Sequence, residues 1–403
     1  MRTIEVAVIG AGIVGATIAY ELRKRGHAVT LIDRDEPGNG CSFGNSGAIS
    51  ACSVAPLAMP GVLASVPRML LDRDSPLRVP LAYVPFALPW LVRFVASATP
   101  SRVEASARSL AALHAGAIAR HAALAREVGA PELVLERGHL YLYADRSALA
   151  KDAAVWELRR KHGYRAELLD RAGIVSLEPN VDARYRAAML LRDHATIRNP
   201  FRYVQAIANA FVARGGALRR AEVMTLAQSA AGWTIATPDQ SMHADVVVVA
   251  AGVGSRRLLD PQDLVLPLET QRGYHVEFDV HGSPVSRTVV LTDRKVFVTP
   301  METGLRAGGT VEIAGLAAPP DWRRADVLVS AVRSAFPDLS GAPARRWMGH
   351  RPCLPDSVPY IGAVRGRAGL YAAVGHGHLG LTEAPATAER IADLVGAVGY
   401  AVP

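Results

Sequence analysis

The alternation of apolar and polar residues is clearest in the first 33 positions of the chain. Residues 4–9 form a short, β-branched, mostly apolar run, which is typical of a buried parallel strand. Three glycines follow, in Gly10-Ala-Gly-Ile-Val-Gly15, and the apolar residues of 13–25 then recur at helical spacing. A second apolar run, residues 28–32, ends at Asp33. This pattern predicts a strand, a helix and a second, parallel strand.

The three glycines stand where a dinucleotide-binding turn needs them. Gly10 allows the tight turn, Gly12 lets the backbone approach a pyrophosphate, and Gly15 lets the helix pack closely on the strand. Asp33 follows the last glycine by about the interval at which an acidic residue binds an adenosine ribose. The alternative is a Gly-rich βαβ turn without a ligand, but the complete context favours an adenine dinucleotide.

Two segments follow this unit. Residues 34–50 are small and Gly-rich, so their backbone donors are free to lie against a ligand. Residues 53–99 are apolar and Pro-rich, and their core, 81–97, is too short and too broken by proline to span a bilayer. We expect either a packed helical lid or a monotopic membrane contact with Trp90, Arg93 and Phe94 at the interface.

The rest of the chain alternates between segments with the apolar period of a helix and segments with that of a strand. The pattern predicts helices over residues 104–128, 151–162, 200–214, 324–336 and 383–398. It predicts strands over residues 139–143, 188–192, 217–226, 233–237, 245–252 and 370–374. Between residues 267 and 315 the strands become short and alternating, at 273–278, 288–292, 296–300, 304–306 and 310–313, as in an antiparallel sheet.

Composition excludes several classes of protein. Of the 403 residues 50% are hydrophobic and 20% charged, which is typical of one large or two ordinary globular domains. The net charge of +8 comes from scattered arginines, which favour a compositional bias or a pocket for a small anion over a nucleic-acid surface. Cys41, Cys52 and Cys353 lack metal or disulfide spacing. The first strand begins too early for a signal peptide, so we expect an intracellular protein.

A second glycine-rich turn near the C-terminus extends the ligand site. Residues 370–374 predict a strand, and Gly375-His-Gly-His-Leu-Gly-Leu-Thr382 leads from it into the last helix. One phosphate-binding turn is enough for NAD, whereas a second donor-rich turn suits a longer cofactor with a ring system to anchor. A helix N-terminus stabilises the negative charge that a reduced flavin acquires, so the pattern favours a flavin over a nicotinamide.

Taken together, these motifs resemble the FAD-dependent D-amino-acid oxidase superfamily, and within it the bacterial D-amino-acid dehydrogenase branch that includes D-hydroxyproline dehydrogenases. The resemblance runs nearly end to end. It rests on the two glycine turns and on Cys41-Ser-Phe-Gly-Asn-Ser-Gly47, Ala250-Ala-Gly252, Arg272-Gly-Tyr274, Gly309-Thr-Val-Glu312, Gly349-His-Arg-Pro352 and Pro355-Asp-Ser357.

The resemblance implies an α/β fold, with a Rossmann-like FAD-binding domain and an inserted antiparallel-sheet substrate domain. The FAD-binding domain would comprise residues 1–80, 201–262 and 347–403, and the substrate domain residues 81–200 and 263–346. The implied contacts to a noncovalent FAD are Gly10, Gly12, Ile13, Val14, Gly15, Asp33, Arg34, Cys41, Ser42, Asn45, Ser46, Gly47, Ala48, Val223, Ala251, Gly252, Gly377, His378, Leu379, Gly380, Leu381 and Thr382.

On the substrate side, the resemblance assigns Arg351 to the carboxylate clamp, and a planar guanidinium fork does suit a carboxylate. Phe297 stands where related glycine oxidases carry an aromatic hydroxyl, which would make the pocket more apolar; Lys295 is a second pocket candidate. Tyr274 is a candidate for the pocket wall, with a core tyrosine as the alternative. His376 is a candidate for a catalytic role, against a packed loop histidine.

The implied reaction is oxidation of a D-amino acid or a cyclic secondary amino acid, such as a D-proline or D-hydroxyproline type substrate, to the imino acid by hydride transfer to flavin N5. The alternatives are a glycine- or sarcosine-type amine oxidase and a non-enzymatic NAD-binding protein. We expect a cytoplasmic amino-acid-catabolic enzyme, in contact with the inner face of the membrane if segment 53–99 binds lipid. A quinone or another carrier would accept the electrons.

Overall fold

The computed structural model describes residues 4–61, 77–280, 282–339 and 341–398. The strands are β1 (Glu5–Ile9), β2 (Ala28–Asp33), β3 (Ala48–Ile49), β4 (Leu77–Arg78), β5 (Val134–Leu135), β6 (His139–Tyr143), β7 (Glu167–Asp170), β8 (Ala187–Leu191), β9 (Ala195–Ile197), β10 (Ala217–Arg220), β11 (Thr225–Ser229), β12 (Gly232–Ala236), β13 (Ser241–Ala244), β14 (Val246–Val249), β15 (Glu269–Phe278), β16 (Thr288–Leu291), β17 (Val296–Met301), β18 (Gly304–Glu312), β19 (Ala344–Cys353), β20 (Tyr360–Ala363) and β21 (Leu370–Val374). The α-helices are α1 (Ile13–Lys24), α2 (Val84–Ala96), α3 (Pro100–His114), α4 (Ala117–Glu127), α5 (Arg146–Lys151), α6 (Ala153–Lys161), α7 (Arg171–Leu177), α8 (Pro200–Ala213), α9 (Ser255–Leu259), α10 (Arg323–Ala335) and α11 (Gly380–Val398).

The predicted Rossmann-like sheet is confirmed. It has six strands in the order β10-β2-β1-β14-β21-β20, parallel except for the last pair. Its centre, β14, consists of four buried valines, since a strand covered on both faces has no polar side. On one face α1 packs against α8 and α11. The N-terminus of α1 therefore lies at the carboxyl ends of the parallel strands, where open α/β sheets bind ligands.

The second large sheet is mixed rather than wholly antiparallel. Its strand order is β19-β15-β18-β17-β16-β6-β8-β7, with β4 added beside β18. Most neighbours are antiparallel, but β16 pairs with β6, and β18 with β4, in parallel. Helix α10 covers β15 and β18, and together they enclose a core of buried aliphatic and aromatic residues.

Four of the predicted elements are wrong in their extent. The predicted helix 104–128 is two helices, α3 and α4, because the chain breaks at Gly116 with a left-handed φ of 67°. The predicted strand 217–226 divides into β10 and β11, which belong to different sheets. The predicted strands 304–306 and 310–313 are one strand, β18, which passes through Gly308 and Gly309 without turning.

The described part of the apolar segment, residues 53–61 and 77–99, contains β4 and α2. Trp90 and Phe94 are buried and stack at 5.1 Å between ring centroids, so the alternative that placed these two rings at a membrane interface is wrong. Arg93 is exposed, and Phe86, Leu88 and Val92 are large apolar side chains of the helix that are exposed as well. Residues 62–76 of this segment lie outside the described residues.

Among the described helices, none is by itself long and apolar enough to cross a bilayer. The residues of Leu81–Ala96 and Pro100–Glu127 pass such a test only when combined, and they meet at a bend of 91°.

The domain boundaries predicted from the sequence stay a prediction. All strands of the Rossmann-like sheet fall inside residues 1–80, 201–262 and 347–403, although 1–3, 62–76 and 399–403 lie outside the described residues. Strand β19 crosses the predicted boundary at residue 347 and pairs along its length with β15 of the mixed sheet.

Candidate active site

One cavity of about 1340 Å³ is lined by both large sheets. Its walls come from the carboxyl ends of β1 and β2, the loop of residues 34–50, helix α2, strands β17–β19 and the turn before α11. Its volume exceeds the roughly 300–1,000 Å³ of a typical small-molecule pocket, as a dinucleotide together with a substrate would require.

The N-terminal glycines shape one end of this cavity. Gly10 has a φ of +105°, and an added Cβ would lie 2.4 Å from the Ala250 carbonyl oxygen. A Cβ on Gly15 would lie 1.8 Å from the Gly10 carbonyl oxygen, so Gly15 serves helix–strand packing and does not line the cavity. Around Gly12 the nearest atom to an added Cβ is Ser42 Oγ, at 3.3 Å. The space above Gly12 is therefore open to a ligand, which fits a pyrophosphate.

Asp33 lies at the same end. Its carboxylate accepts hydrogen bonds from the backbone N–H groups of Ala11, at 2.6 Å, and Asp35, at 3.0 Å. Asp33, Arg34 and Val223 all line the cavity there. These contacts fix the turn after β1 and place a carboxylate at the end where the sequence predicts the adenosine ribose.

The loop between residues 41 and 47 is held from below by the mixed sheet. Arg306 donates to the Phe43 and Asn45 carbonyl oxygens, each at 2.8 Å, and its other face forms a buried ion pair with Glu277 at 2.7 Å. A ring nitrogen of His275, Nδ1, lies 3.0 Å from the Gly44 carbonyl oxygen and donates to it. The predicted residues of this region that line the cavity are Cys41, Ser42, Asn45, Ser46 and Ala48.

Two predicted cofactor contacts, Gly47 in this loop and Thr382 on α11, do not line the cavity. Gly47 has a φ of +74°, and an added Cβ would lie 2.3 Å from the Ile197 carbonyl oxygen, so it serves a backbone turn. Thr382 accepts a hydrogen bond from the Ser50 N–H at 3.0 Å and so ties the loop to α11.

The C-terminal turn forms the opposite wall. The predicted residues that line the cavity here are Ala251, Gly252, His376, Gly377, His378, Leu379, Gly380 and Leu381. His376 Nε2 lies 3.1 Å from Thr387 Oγ1, and burial lowers the pKa of His376, as expected of a packed loop histidine. His378 is exposed where it lines the cavity. Desolvation and the charge of Arg351 lower its pKa to about 4, and a pKa below the ordinary value of 6.5 leaves the ring neutral at physiological pH.

Arg351 lines the cavity on β19, with its guanidinium over the backbone of Gly273. Its Nη1 and Nη2 donate to the Thr310 and Gly309 carbonyl oxygens over long distances of 3.4 Å. Within the described ranges no carboxylate lies within ion-pair distance of it, and desolvation by burial lowers its pKa. The cavity's acidic lining residues are grouped at the other end: Asp33, Asp35, Glu36 and Glu222. Arg351 therefore retains donors for an anionic ligand.

Phe297 and Lys295 also line the cavity. Phe297 makes an edge contact with the ring of Tyr141, with 6.4 Å between centroids. Lys295 is exposed in the turn between β16 and β17, with a left-handed φ of 55°. An aromatic wall and a cation thus border the region next to Arg351.

Tyr274 does not line the cavity, so its prediction as a pocket wall is wrong. Its hydroxyl donates to Glu312 Oε2 at 2.7 Å and accepts from the Asp321 N–H at 2.9 Å. Side chains alternate along β15, so Tyr274 and His275 point to opposite faces of the sheet. His275 faces the loop of residues 41–47, and Tyr274 lies in the core beneath α10. The alternative, a buried core tyrosine, is what the structure contains.

Sequence reasoning also missed part of the wall. The residues that line the cavity without having been predicted include Glu222, Gln271, Thr310, Trp347, Met348 and His350. His350 flanks Arg351 on β19, and Glu222 precedes Val223. Gln271 on β15, Thr310 on β18 and the residues of β19 are brought together by the pairing of these three strands. The alternation of side chains along residues 304–313, taken as one strand, would have indicated that Thr310 belongs to this wall.

Comparison with known proteins agrees with this geometry. Residues 5–394 match the family model described as DAO, FAD dependent oxidoreductase. The chain is 38% identical to a D-amino-acid oxidase of Bradyrhizobium diazoefficiens, over 99% of this chain and 96% of that protein. It is 34% identical to a D-amino acid dehydrogenase 2 of Ralstonia nicotianae, over 97% and 96%.

A solved structure shows the same fold. Glycine oxidase from Geobacillus kaustophilus superposes with a TM-score of 0.76 at 22% identity, covering 98% of this chain and 95% of that one. Given the family match over nearly the whole chain and the open cradle at Gly12, the cofactor of the cavity is FAD. The chain belongs to the DAO family of FAD-dependent oxidoreductases.

Proposed function

We propose that this enzyme oxidises a D-amino acid or a cyclic secondary amino acid to the imino acid. The observation that carries the proposal is the arginine fork of Arg351, which faces no carboxylate of its own at the end of the FAD cavity that has no acidic lining residue. The two relatives named as a D-amino-acid oxidase and a D-amino acid dehydrogenase support the D configuration.

Bound FAD would supply the acceptor for the hydride from the substrate Cα. The chain's own residues then bind and orient the substrate. Arg351 holds the carboxylate, using donors that its two long bonds to the Gly309 and Thr310 carbonyl oxygens leave available. His378 stays neutral beside it and adds no competing charge. The N-terminus of α11 points its free N–H groups at the same cavity, where they stabilise negative charge.

The part of the cavity that would receive the side chain of the substrate favours a cyclic amino acid. Phe297 presents an aromatic surface where a hydroxyl would have offered a hydrogen bond, and a D-proline or D-hydroxyproline type ring would pack against it. Lys295 lies at the border of this region and is the polar group that a ring hydroxyl would meet.

Variants of Arg351 test the proposal directly. We expect Arg351→Ala to lose about 3–5 kcal/mol of transition-state stabilisation, roughly 10²–10⁴ in kcat/KM, towards a D-amino acid. Arg351→Lys should recover only part of it, because an ammonium restores the charge but not the fork. FAD content, measured by absorbance after gel filtration, should remain near that of the wild type in both variants.

The control substrate is an amine without the carboxylate. Wild type should oxidise it poorly, and Arg351→Ala should be little worse. Equal losses for both substrates would mean that Arg351 supports the fold or the flavin, and that another group holds the carboxylate.

For the electrons we propose a lipophilic quinone as acceptor, with the enzyme in the cytoplasm and in peripheral contact with the inner face of the membrane. Leu88 and Val92 of α2 are 52% and 59% exposed and also line the cavity, so an apolar surface runs to its mouth, with the exposed Arg93 beside it. This arrangement fits a lipid surface with anionic headgroups.

Turnover with a soluble quinone or a dye should then greatly exceed turnover with oxygen. Fast, stoichiometric peroxide formation in air would make the enzyme an oxidase and overturn this part of the proposal.

A further inference from the structure

A second residue beside Arg351 has features that neither the fold nor the cofactor explains. Gly273 pairs with Val311 and Tyr274 with Gly309, so Thr310 is the extra residue of a β-bulge in β18. Its φ is +36°. Left-handed backbone is rare for a β-branched residue, and glycine ordinarily occupies such a bulge position.

The strain is not needed to make the bulge. The two preceding residues, Gly308 and Gly309, are glycines, yet the left-handed position itself holds threonine. A glycine at 310 would adopt the same backbone without strain. Strained backbone of this kind is found chiefly at functional sites, so the side chain of Thr310 is expected to have a function.

The hydroxyl of Thr310 is unused in the structure. Thr310 is 5% exposed, it lines the cavity, and its Oγ1 has no hydrogen-bond partner in the described part of the chain. A buried hydroxyl without a partner destabilises the protein unless a ligand satisfies it. In this rotamer Oγ1 itself has almost no accessible surface, so it must turn to reach a ligand. Rotation of about 120° about χ1 exchanges the hydroxyl with the γ-methyl group without backbone movement.

The position of Thr310 identifies the ligand group. The carbonyl oxygen of Thr310 accepts the long hydrogen bond from Arg351 Nη1, so the hydroxyl belongs to a residue that contacts the proposed carboxylate clamp. A carboxylate has about four acceptor sites, and a bidentate arginine fills two of them. We propose, resting on the proposed function, that the Thr310 hydroxyl donates a hydrogen bond to the substrate carboxylate held by Arg351, as a second substrate-binding residue.

Three variants of the holoenzyme separate the hydroxyl from the shape and the strain. Thr310→Val keeps the branched shape and the strain but removes the hydroxyl, Thr310→Ser keeps the hydroxyl, and Thr310→Gly removes both the hydroxyl and the strain. The probe is 2-furoate, an unreactive cyclic carboxylate, whose Kd is read from the change it causes in the flavin spectrum. Furfuryl alcohol is the uncharged control.

We expect Thr310→Val and Thr310→Gly to raise the Kd of 2-furoate about tenfold to a hundredfold, the range for one hydrogen bond to a charged group. Thr310→Ser should stay near wild type, and furfuryl alcohol should bind all four proteins alike. Without ligand, Thr310→Val should unfold at the same temperature as the wild type or higher, since it removes an unsatisfied hydroxyl.

Unchanged binding in Thr310→Val, or an equal loss in Thr310→Ser, would overturn this inference. Arg351→Ala, measured with the same probe, distinguishes a failure of the Thr310 assignment from a failure of the proposed function. If that variant binds 2-furoate as wild type does, the clamp itself is wrong. If Arg351→Ala loses binding and Thr310→Val does not, only the assignment of Thr310 fails.

Discussion

At the scale of single residues, the cavity depends on the positions where a side chain is absent. An added Cβ collides with backbone at Gly10 and Gly15, but at Gly12 it meets only the edge of Ser42. The first two glycines thus serve the fold, whereas Gly12 keeps space free for the cofactor.

This difference predicts the behaviour of Gly12→Val. The variant should fold, because an added Cβ meets no backbone and only Ser42 Oγ at 3.3 Å. It should lose most of its FAD, with an affinity reduced about tenfold or more. The measurement is the ratio of flavin to protein absorbance after gel filtration, with circular dichroism as the check of folding.

Gly362→Val is the matched control for that variant. Gly362 lies on β20, away from the cavity, and an added Cβ there meets no atom within 4 Å. It should retain its flavin. A Gly12→Val protein that purified fully yellow would place the pyrophosphate elsewhere.

At the scale of elements, the loop over residues 41–47 owes its position to the mixed sheet below it. The side chain of Arg306 is 7% exposed, and it joins the loop carbonyl oxygens to Glu277. Removing one partner of a buried ion pair leaves the other charge uncompensated. We expect Arg306→Ala to lower the free energy of unfolding by about 3–5 kcal/mol and to weaken FAD retention as well.

Arg345→Ala is the control for that change, since Arg345 pairs with the same carboxylate but has a side chain that is 69% exposed. An exposed pair contributes about 0–1 kcal/mol, so the loss should be small and the FAD content normal. Chemical denaturation with flavin release gives both quantities. Equal effects of the two variants would show that Arg306 does not hold the loop.

The elements also show how far the sequence could be interpreted. The strand–helix–strand unit, the valine strand β14 and α11 were predictable because a buried parallel strand and an amphipathic helix have distinct periods. The break at Gly116 was missed because apolar periodicity continues across it. The continuity of β18 was missed because Gly308 and Gly309 have the composition of a turn.

For the site, the sequence predicted the loops that line the cavity but not the direction of each side chain. Tyr274 and Thr310 belong to motifs recognised from the sequence, yet Tyr274 lies in the core and Thr310 lines the cavity. Strand register and the bulge at Thr310 decide this, and both arise from pairing between strands distant along the chain.

At the scale of the whole molecule, buried neutral histidines make stability depend on pH. Burial lowers the pKa of His121 to about 4 and, with the charge of Arg306, that of His275 to about 3, against 6.5 for an unperturbed histidine. Between pH 6.5 and these lowered pKa values, the unfolded chain therefore binds more protons at these two histidines than the folded chain does. The stability from these groups is fully present above pH 6.5 and is lost as the pH falls towards 4.

The melting temperature of the holoenzyme should accordingly decrease as the pH is lowered from 6.5 to 4.5. Protonation of His121 should account for roughly 3 kcal/mol of the lost unfolding free energy at the acid end. In His121→Gln the amide can replace both hydrogen bonds of the ring, to Tyr203 and to the Leu381 carbonyl oxygen, without titrating. Its pH dependence, by calorimetry, should be shallower. An unchanged slope, or the same change in the exposed His243→Gln, would contradict this assignment.

The central property of the enzyme is the delivery of electrons from an amino acid to the flavin in this cavity. The most direct measurement is the visible absorbance of the holoenzyme in an anaerobic cuvette, during titration with D- and L-enantiomers of proline and other amino acids, and with glycine and sarcosine. We expect D-amino acids, cyclic ones included, to bleach the flavin at a stoichiometry of one and their L-enantiomers to leave it oxidised. Bleaching by glycine or sarcosine alone, by L-enantiomers alone, or by no amino acid at all would contradict it.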